Sequence, residues 1–218
     1  MAGALELAPA LILGYALGMI QTGYIVGRLY GLDIREHGSK NAGMTNVNRT
    51  LGKWPALLVF CADVSKAAAA FVFVPVIVAG ATWSFGDWAH EFGGGAGPGA
   101  LPAMAAGLGA VLGHNFPFYL KFRGGKGVSS TLGIILMLDW RAALPAFALG
   151  ICLVAAFRYI SLASLAVTLA WPLLLLALGR GAAEVMLAAA ISCLAWAMHR
   201  ENIGRLLSKT ERKFTLGK

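Results

Sequence analysis

A succession of apolar runs, several of them close to 20 residues long and separated by short segments rich in Arg and Lys, dominates the chain. A helical run of that length, rising about 1.5 Å per residue, matches the roughly 30 Å hydrocarbon core of a bilayer. Candidate spans lie near 4–27, 55–80, 101–121, 128–139, 141–159, 161–179 and 182–199, which predicts an all-α integral membrane protein with seven transmembrane helices. Composition agrees, because 58% of the 218 residues are apolar and only 13% are charged, where a soluble domain carries about 25%. The run 128–139 would be only about 18 Å long, so it is expected to begin deep in the protein, with Asp139-Trp140-Arg141 as its exit turn. No basic stretch precedes the first run, and Glu6 stands where a cleaved signal would carry Lys or Arg, so that run is expected to persist as a helix. No connecting segment is long enough to fold alone, so residues 1–218 are expected to form a single polytopic membrane domain.

Charge gives the chain a direction. Basic residues follow the first span (Arg28, Arg35, Lys40, Arg49, Lys53), the third (Lys121, Arg123, Lys126), the fifth (Arg158) and the seventh (Arg200, Arg205, Lys209, Arg212, Lys213, Lys218). The opposite segments hold only Arg141 and Arg180. The positive-inside rule then predicts an N-terminus outside and a cytoplasmic C-terminus. With the net charge of +8 distributed in this way and few aromatics beside it, nucleic acid is not an expected partner. Cys61, Cys152 and Cys193 lie far apart in apolar runs and read as small core residues, with no metal-ligand spacing. The pairs Gly14/Gly18, Gly23/Gly27 and Gly109/Gly113 read as close helix contacts. The segment 81–100, with Asp87, His90, Glu91 and the glycine-rich run 93–99, reads as a connector.

Three donor-rich clusters fall on the predicted cytoplasmic side. The first, 35–49, combines glycines with Ser39, Asn41, Thr45, Asn46 and Arg49, the chemistry of an anion-binding nest. In the second, 113–130, glycines flank Lys126 ahead of a predicted helix start, which suits a phosphate. A P-loop would need Ser or Thr after that lysine and Gly six residues before it; Gly127 and Leu120 stand there instead, so ATP loses support. In the third, His199, Asn202 and Arg205 recur every three residues and would share one face if the last helix continues through them. Topology asks only for charge, which suffices for Arg28, Lys53, Arg158, Arg212 and Lys218; it does not ask for Gly, Asn, Thr and His beside it. Asp63 and Lys66, inside the second run, read either as a structural ion pair or as part of a site wall.

The three clusters together resemble the bacterial acyl-phosphate:glycerol-3-phosphate acyltransferase family, the PlsY type. The first family motif is matched by Gly38, Ser39, Asn41, Gly43, Thr45, Asn46 and Arg49, with departures at Lys40 and Met44. The second is matched by Gly113, His114, Phe116, Pro117, Phe122, Arg123, Gly124, Gly125, Lys126 and Gly127, and the third by His199, Glu201, Asn202, Ile203, Arg205 and Leu206. The resemblance implies a seven-helix enzyme of the bacterial inner membrane, with its active site at the cytoplasmic face. It would move a fatty acyl group from acyl phosphate to the sn-1 hydroxyl of glycerol 3-phosphate, giving lysophosphatidic acid and phosphate. No cofactor, metal or obligate protein partner is implied; the partners are the two substrates and membrane lipid.

On this reading His199 accepts the hydroxyl proton or orients a phosphate oxygen that does so, while Lys126 and Arg49 offset phosphate charge. Asn202 and Ser39 hydrogen-bond the substrates, and Ser161, at the start of the sixth run, is a further binding candidate or a helix cap. Ser39 as a covalent nucleophile is the rival mechanism. The different-class alternative is a transporter or exchanger of phosphate or organic phosphates. None of His37, His90, His114 and His199 is followed four residues later by Asp, which argues against the soluble type of glycerolipid acyltransferase.

Overall fold

The structure, a computed structural model, describes residues 2–79 and 100–215, and every regular element in them is helical. Asp87, His90, Glu91, the run 93–99 and Lys218 lie outside the described residues. The helices are α1 (Ala2–Gly18), α2 (Thr22–Leu29), α3 (Met44–Leu51), α4 (Lys53–Ala79), α5 (Ala100–Asn115), α6 (Val128–Leu138), α7 (Trp140–Phe157), α8 (Ile160–Ala177), α9 (Ala182–Met198) and α10 (Arg200–Leu207).

A helix stands at each of the expected apolar runs, but length separates them. Leu5–Leu29, Lys53–Val78, Trp140–Phe157 and Ile160–Ala177 are long and apolar enough to cross a membrane, and α9 with α10, bent by 62°, makes a fifth if counted as one. Helices α5 and α6 have 16 and 11 residues, about 24 and 17 Å. The third run ends early because Phe116 precedes Pro117, whose ring disfavours helical backbone in the residue before it. The expectation that one straight helix carries His199, Asn202 and Arg205 is corrected: the chain bends at His199, and α10 sets off in a new direction.

Helices α1 and α5 share the most extensive contact, and their glycines explain it. A Cβ on Gly14 or Gly18 would overlap the backbone of Ala106 or Ala110, and one on Gly109 or Gly113 would overlap that of Leu11 or Tyr15. Backbone-to-backbone approach of this kind is how helices associate where lipid offers no hydrophobic drive. Helix α4 packs on α5 and α6, and α8 lies between α7 and α9. The buried core is correspondingly small-residue-rich, with Ala67, Ala70, Ala103, Ala106 and Ala110 around Phe71, Ile134 and Trp171. The outside is apolar: Leu5, Ile77 and Met186 are each at least 70% exposed, as a lipid-facing surface requires. Cys61, Cys152 and Cys193 belong to that surface and not to the core. In lipid an apolar residue gains nothing by turning inward, so apolarity alone does not put a cysteine inside.

Candidate active site

The loop before α3 is built on Asn46. Its buried amide donates to the carbonyls of Ile34, His37 and Asn41 at 2.9, 3.0 and 2.9 Å, and its Oδ1 accepts the Ser39 N–H at 2.7 Å. Both amide protons of Asn46, shared among three carbonyls, and one lone pair of its Oδ1 are therefore committed to the loop, which they shape. Gly38 permits this with φ of +59°, because a Cβ there would strike Asn46 Oδ1. Asn41 Oδ1 accepts the Gly43 N–H at 2.8 Å, just ahead of α3. Lys40 also has φ of +59°, a left-handed conformation that costs a non-glycine residue about 1–2 kcal/mol.

The second cluster divides in two. Gly124 and Gly125 turn their N–H groups to the carbonyls of Asn115 and His114, at 3.1 and 3.0 Å, so these donors are not free for a phosphate. Both glycines are needed for close packing on His114: a Cβ on Gly124 would overlap its carbonyl and one on Gly125 its Nε2. Lys126 then reaches across to donate to Asn202 Oδ1. Burial, followed by the charges of Arg205 and Arg49, lowers the Lys126 ammonium below 10.5 despite the opposing pull of Glu201 and Glu211.

Glu211, which the motif reading passed over, organises the third cluster. Its Oε1 accepts from Ser161 Oγ at 2.9 Å and Asn202 Nδ2 at 2.7 Å, and its Oε2 accepts from Arg205 Nε at 2.7 Å. Burial pushes the Glu211 carboxyl up, but these hydrogen bonds and the Arg205 charge outweigh it and hold the carboxyl below 4.5. Asn202 is thus oriented by a cation on one side and a carboxylate on the other. The tail runs on to Arg158, which exchanges backbone and side-chain bonds with Phe214, and to Asn48, which donates to the Thr215 carbonyl at 2.8 Å. An acid alone among Lys209, Arg212 and Lys213 was the available sequence signal. His199, buried, bonds through Nδ1 to the Ala195 carbonyl at 2.7 Å. A carbonyl only accepts, so Nδ1 carries the proton and Nε2 is left as the acceptor.

Residues of all three clusters meet on one cavity of about 1220 Å³. Its polar end is formed by Gly38, Ser39, Asn41, Thr45, Asn46, Arg49, His114, Lys126, Gly127, Ser161, His199, Asn202 and Arg205. The first residues of α3, α6, α8 and α10 all lie on it (Met44, Val128, Ile160, Arg200), so four helix amino termini add positive potential to the cations. Its other end is apolar, with Phe60 and Val64 from α4, Leu132 and Leu136 from α6, Phe147 and Ile151 from α7, and Val167 from α8. Arg123, Gly124 and Gly125 are not on the lining, and Arg123 is exposed. Arg212, read from sequence as topological, is on it. Ser161 caps no helix; it donates to Glu211.

A model of the glycerol-3-phosphate acyltransferase family matches residues 8–209. The chain belongs to that family. Among glycerol-3-phosphate acyltransferases, one from Thermus thermophilus is 42% identical over 203 residues, covering 93% of this chain and 92% of the relative. The enzyme from Synechococcus sp. (strain JA-3-3Ab) is 41% identical over 199 residues, covering 91% and 88%. The crystal structure of PlsY, an integral membrane glycerol 3-phosphate acyltransferase, in its glycerol 3-phosphate form superposes with a TM-score of 0.80 at 32% identity, covering 99% of this chain and 96% of that one. Its lysophosphatidic acid form gives 0.77. This protein is an acyltransferase of that membrane-embedded type, and the transporter alternative is set aside.

Proposed function

We propose that the protein transfers a fatty acyl group from acyl phosphate to the sn-1 hydroxyl of glycerol 3-phosphate, releasing lysophosphatidic acid and phosphate, the first acylation of phospholipid synthesis. The two-ended cavity carries this reading, since one continuous space joins an apolar groove to a cationic pocket. A fatty acyl phosphate needs both ends at once, with its chain among α4, α6, α7 and α8 and its phosphate at Arg49 and Lys126.

His199 Nε2 accepts the acceptor's hydroxyl proton, the alkoxide oxygen attacks the acyl carbon, and the bond from that carbon to the phosphate oxygen breaks. Phosphate leaves with the electron pair and takes up the proton. Acyl phosphate is already an activated anhydride, so this route uses no cofactor or metal. Alignment of the two substrates supplies much of the rate, up to about 7–11 kcal/mol. Lys126 and Arg49 offset the repulsion of two phosphates, and Asn202 and Ser39 hydrogen-bond them. Direct transfer is favoured over a Ser39 nucleophile because, among the described residues, no hydrogen bond joins Ser39 Oγ to His199. The reading includes seven crossings of a bacterial inner membrane, with the N-terminus outside and the cavity's polar end at the cytoplasmic face, and no obligate protein partner.

Purified protein should release phosphate from palmitoyl phosphate on addition of glycerol 3-phosphate and should not use acyl-CoA. Turnover with acyl-CoA alone would overturn the donor, and an acyl group trapped on Ser39 by rapid quench would overturn direct transfer.

A further inference from the structure

A buried polar network stands beside the cavity. Asp63 and Lys66 lie one turn apart on α4 with side chains 1% and 7% exposed, and Lys66 Nζ is 2.7 Å from Asp63 Oδ1. The three ammonium protons have three acceptors: Asp63 Oδ1, the Ile20 carbonyl at 2.6 Å and His114 Nδ1 at 3.0 Å. An ammonium has no acceptor, so Nδ1 accepts and the imidazole proton sits on Nε2. Thr22 Oγ1 adds a bond to Asp63 Oδ1 at 3.2 Å. The Ile20 carbonyl belongs to the break between α1 and α2, so Lys66 ties that break to the end of α5.

His114 in turn carries the Lys126 loop. The Gly125 backbone lies against its ring at Nε2 and bonds its carbonyl, which the Gln21 amide also holds at 2.9 Å. Lys126 is the next residue. Chain continuity and these contacts form an unbroken path from a buried ion pair to the cation that meets Asn202.

We propose that Asp63 and Lys66 are positioning residues for acyl transfer: through His114 they set the height of the Gly124-Gly125 shelf, and so where Lys126 Nζ stands. Architecture alone does not explain them, because a well-packed apolar pair is commonly at least as stable as a buried ion pair. The assignment rests on the acyl-transfer reading above.

The test compares two double variants with the wild type for palmitoyl phosphate turnover, alongside their unfolding temperatures. Asp63→Leu/Lys66→Met removes the bond to His114; it should stay folded and lose about tenfold or more in kcat with KM for glycerol 3-phosphate changed less than about twofold. Asp63→Asn/Lys66→Gln keeps a donor for His114 Nδ1 and should recover to within about threefold of wild type. In a Lys126→Arg background the loss from the apolar pair should shrink to about twofold or less, because the group being placed has been exchanged. An apolar pair with wild-type kcat, equal losses in both double variants, or an undiminished loss beside Lys126→Arg would each overturn the proposal. If the apolar pair does not assemble, His114→Asn takes its place: it keeps an acceptor for Lys66 but removes the ring beneath Gly125. A tenfold kcat loss at unchanged KM that shrinks to about twofold or less beside Lys126→Arg then supports the proposal, and wild-type kcat or an undiminished loss sinks it. A wild-type protein inactive on palmitoyl phosphate would speak against the acyl-phosphate reading, separately from these comparisons.

Discussion

At the residue scale, the proposed mechanism gives Lys126 the charge of a phosphate and His199 a proton, and both side chains border the cavity. Replacing either by Ala should leave expression and unfolding temperature near wild type and lower kcat by about a hundredfold or more. Initial rates on protein of verified foldedness check this, and unchanged rates in both would return the two residues to a topological role. The depressed Lys126 ammonium has a pH consequence. On the proposed mechanism it must be charged to hold phosphate, so activity should fail on the alkaline side below pH 10.5, and Lys126→Arg should move that limb upward, because a guanidinium stays protonated. A pH profile of kcat/KM for the two proteins decides it. Lys40 illustrates a local cost: at φ of +59°, Lys40→Gly should stabilise the protein by up to about 1 kcal/mol, seen as a rise of about 2–4 °C in thermal unfolding.

At the element scale, the segment after α10 is a strap fastened at Glu211, Phe214 and Thr215 to three separate parts of the molecule. Glu211 holds it by charge. Its carboxyl is depressed in the folded state, so its contribution is present above 4.5 and is lost as pH falls through the lower folded value. Hydrogen exchange corrected for intrinsic rates should therefore show the amides of Thr210, Glu211 and Phe214, which bond the Arg205 and Arg158 carbonyls, protected at neutral pH and released only in strongly acidic buffer. Glu211→Ala should release them at neutral pH, open Lys209 and Lys213 to trypsin, and lower kcat by about tenfold or more through Asn202 and Arg205. Protection unchanged in Glu211→Ala would show that the strap is held elsewhere.

For the whole molecule, the membrane class, the helical fold and the three donor-rich segments could all be read from the chain, because each expresses the solvent preference of a contiguous stretch. Orientation was read from Arg and Lys placement; a fluorescent protein at the C-terminus should light up in the cytoplasm, whereas a periplasmic phosphatase there should stay inactive. Other features were not legible. Gly124 and Gly125 looked like phosphate donors, and their N–H groups bond Asn115 and His114; Asn46 lines the cavity as read, but that it also pegs its loop was not readable; the cysteines looked buried and face outward.

Local sequence thus determined which solvent each segment occupies and which polar chemistry it carries. Tertiary structure alone decided which polar groups bind one another and which are left facing the cavity, such as Glu211 on Ser161 or His114 beside Lys66. The physical reason is separation along the chain. Hydropathy is a property of neighbours in sequence, whereas Asn48 and Thr215, 167 residues apart, find each other only once the helices have packed.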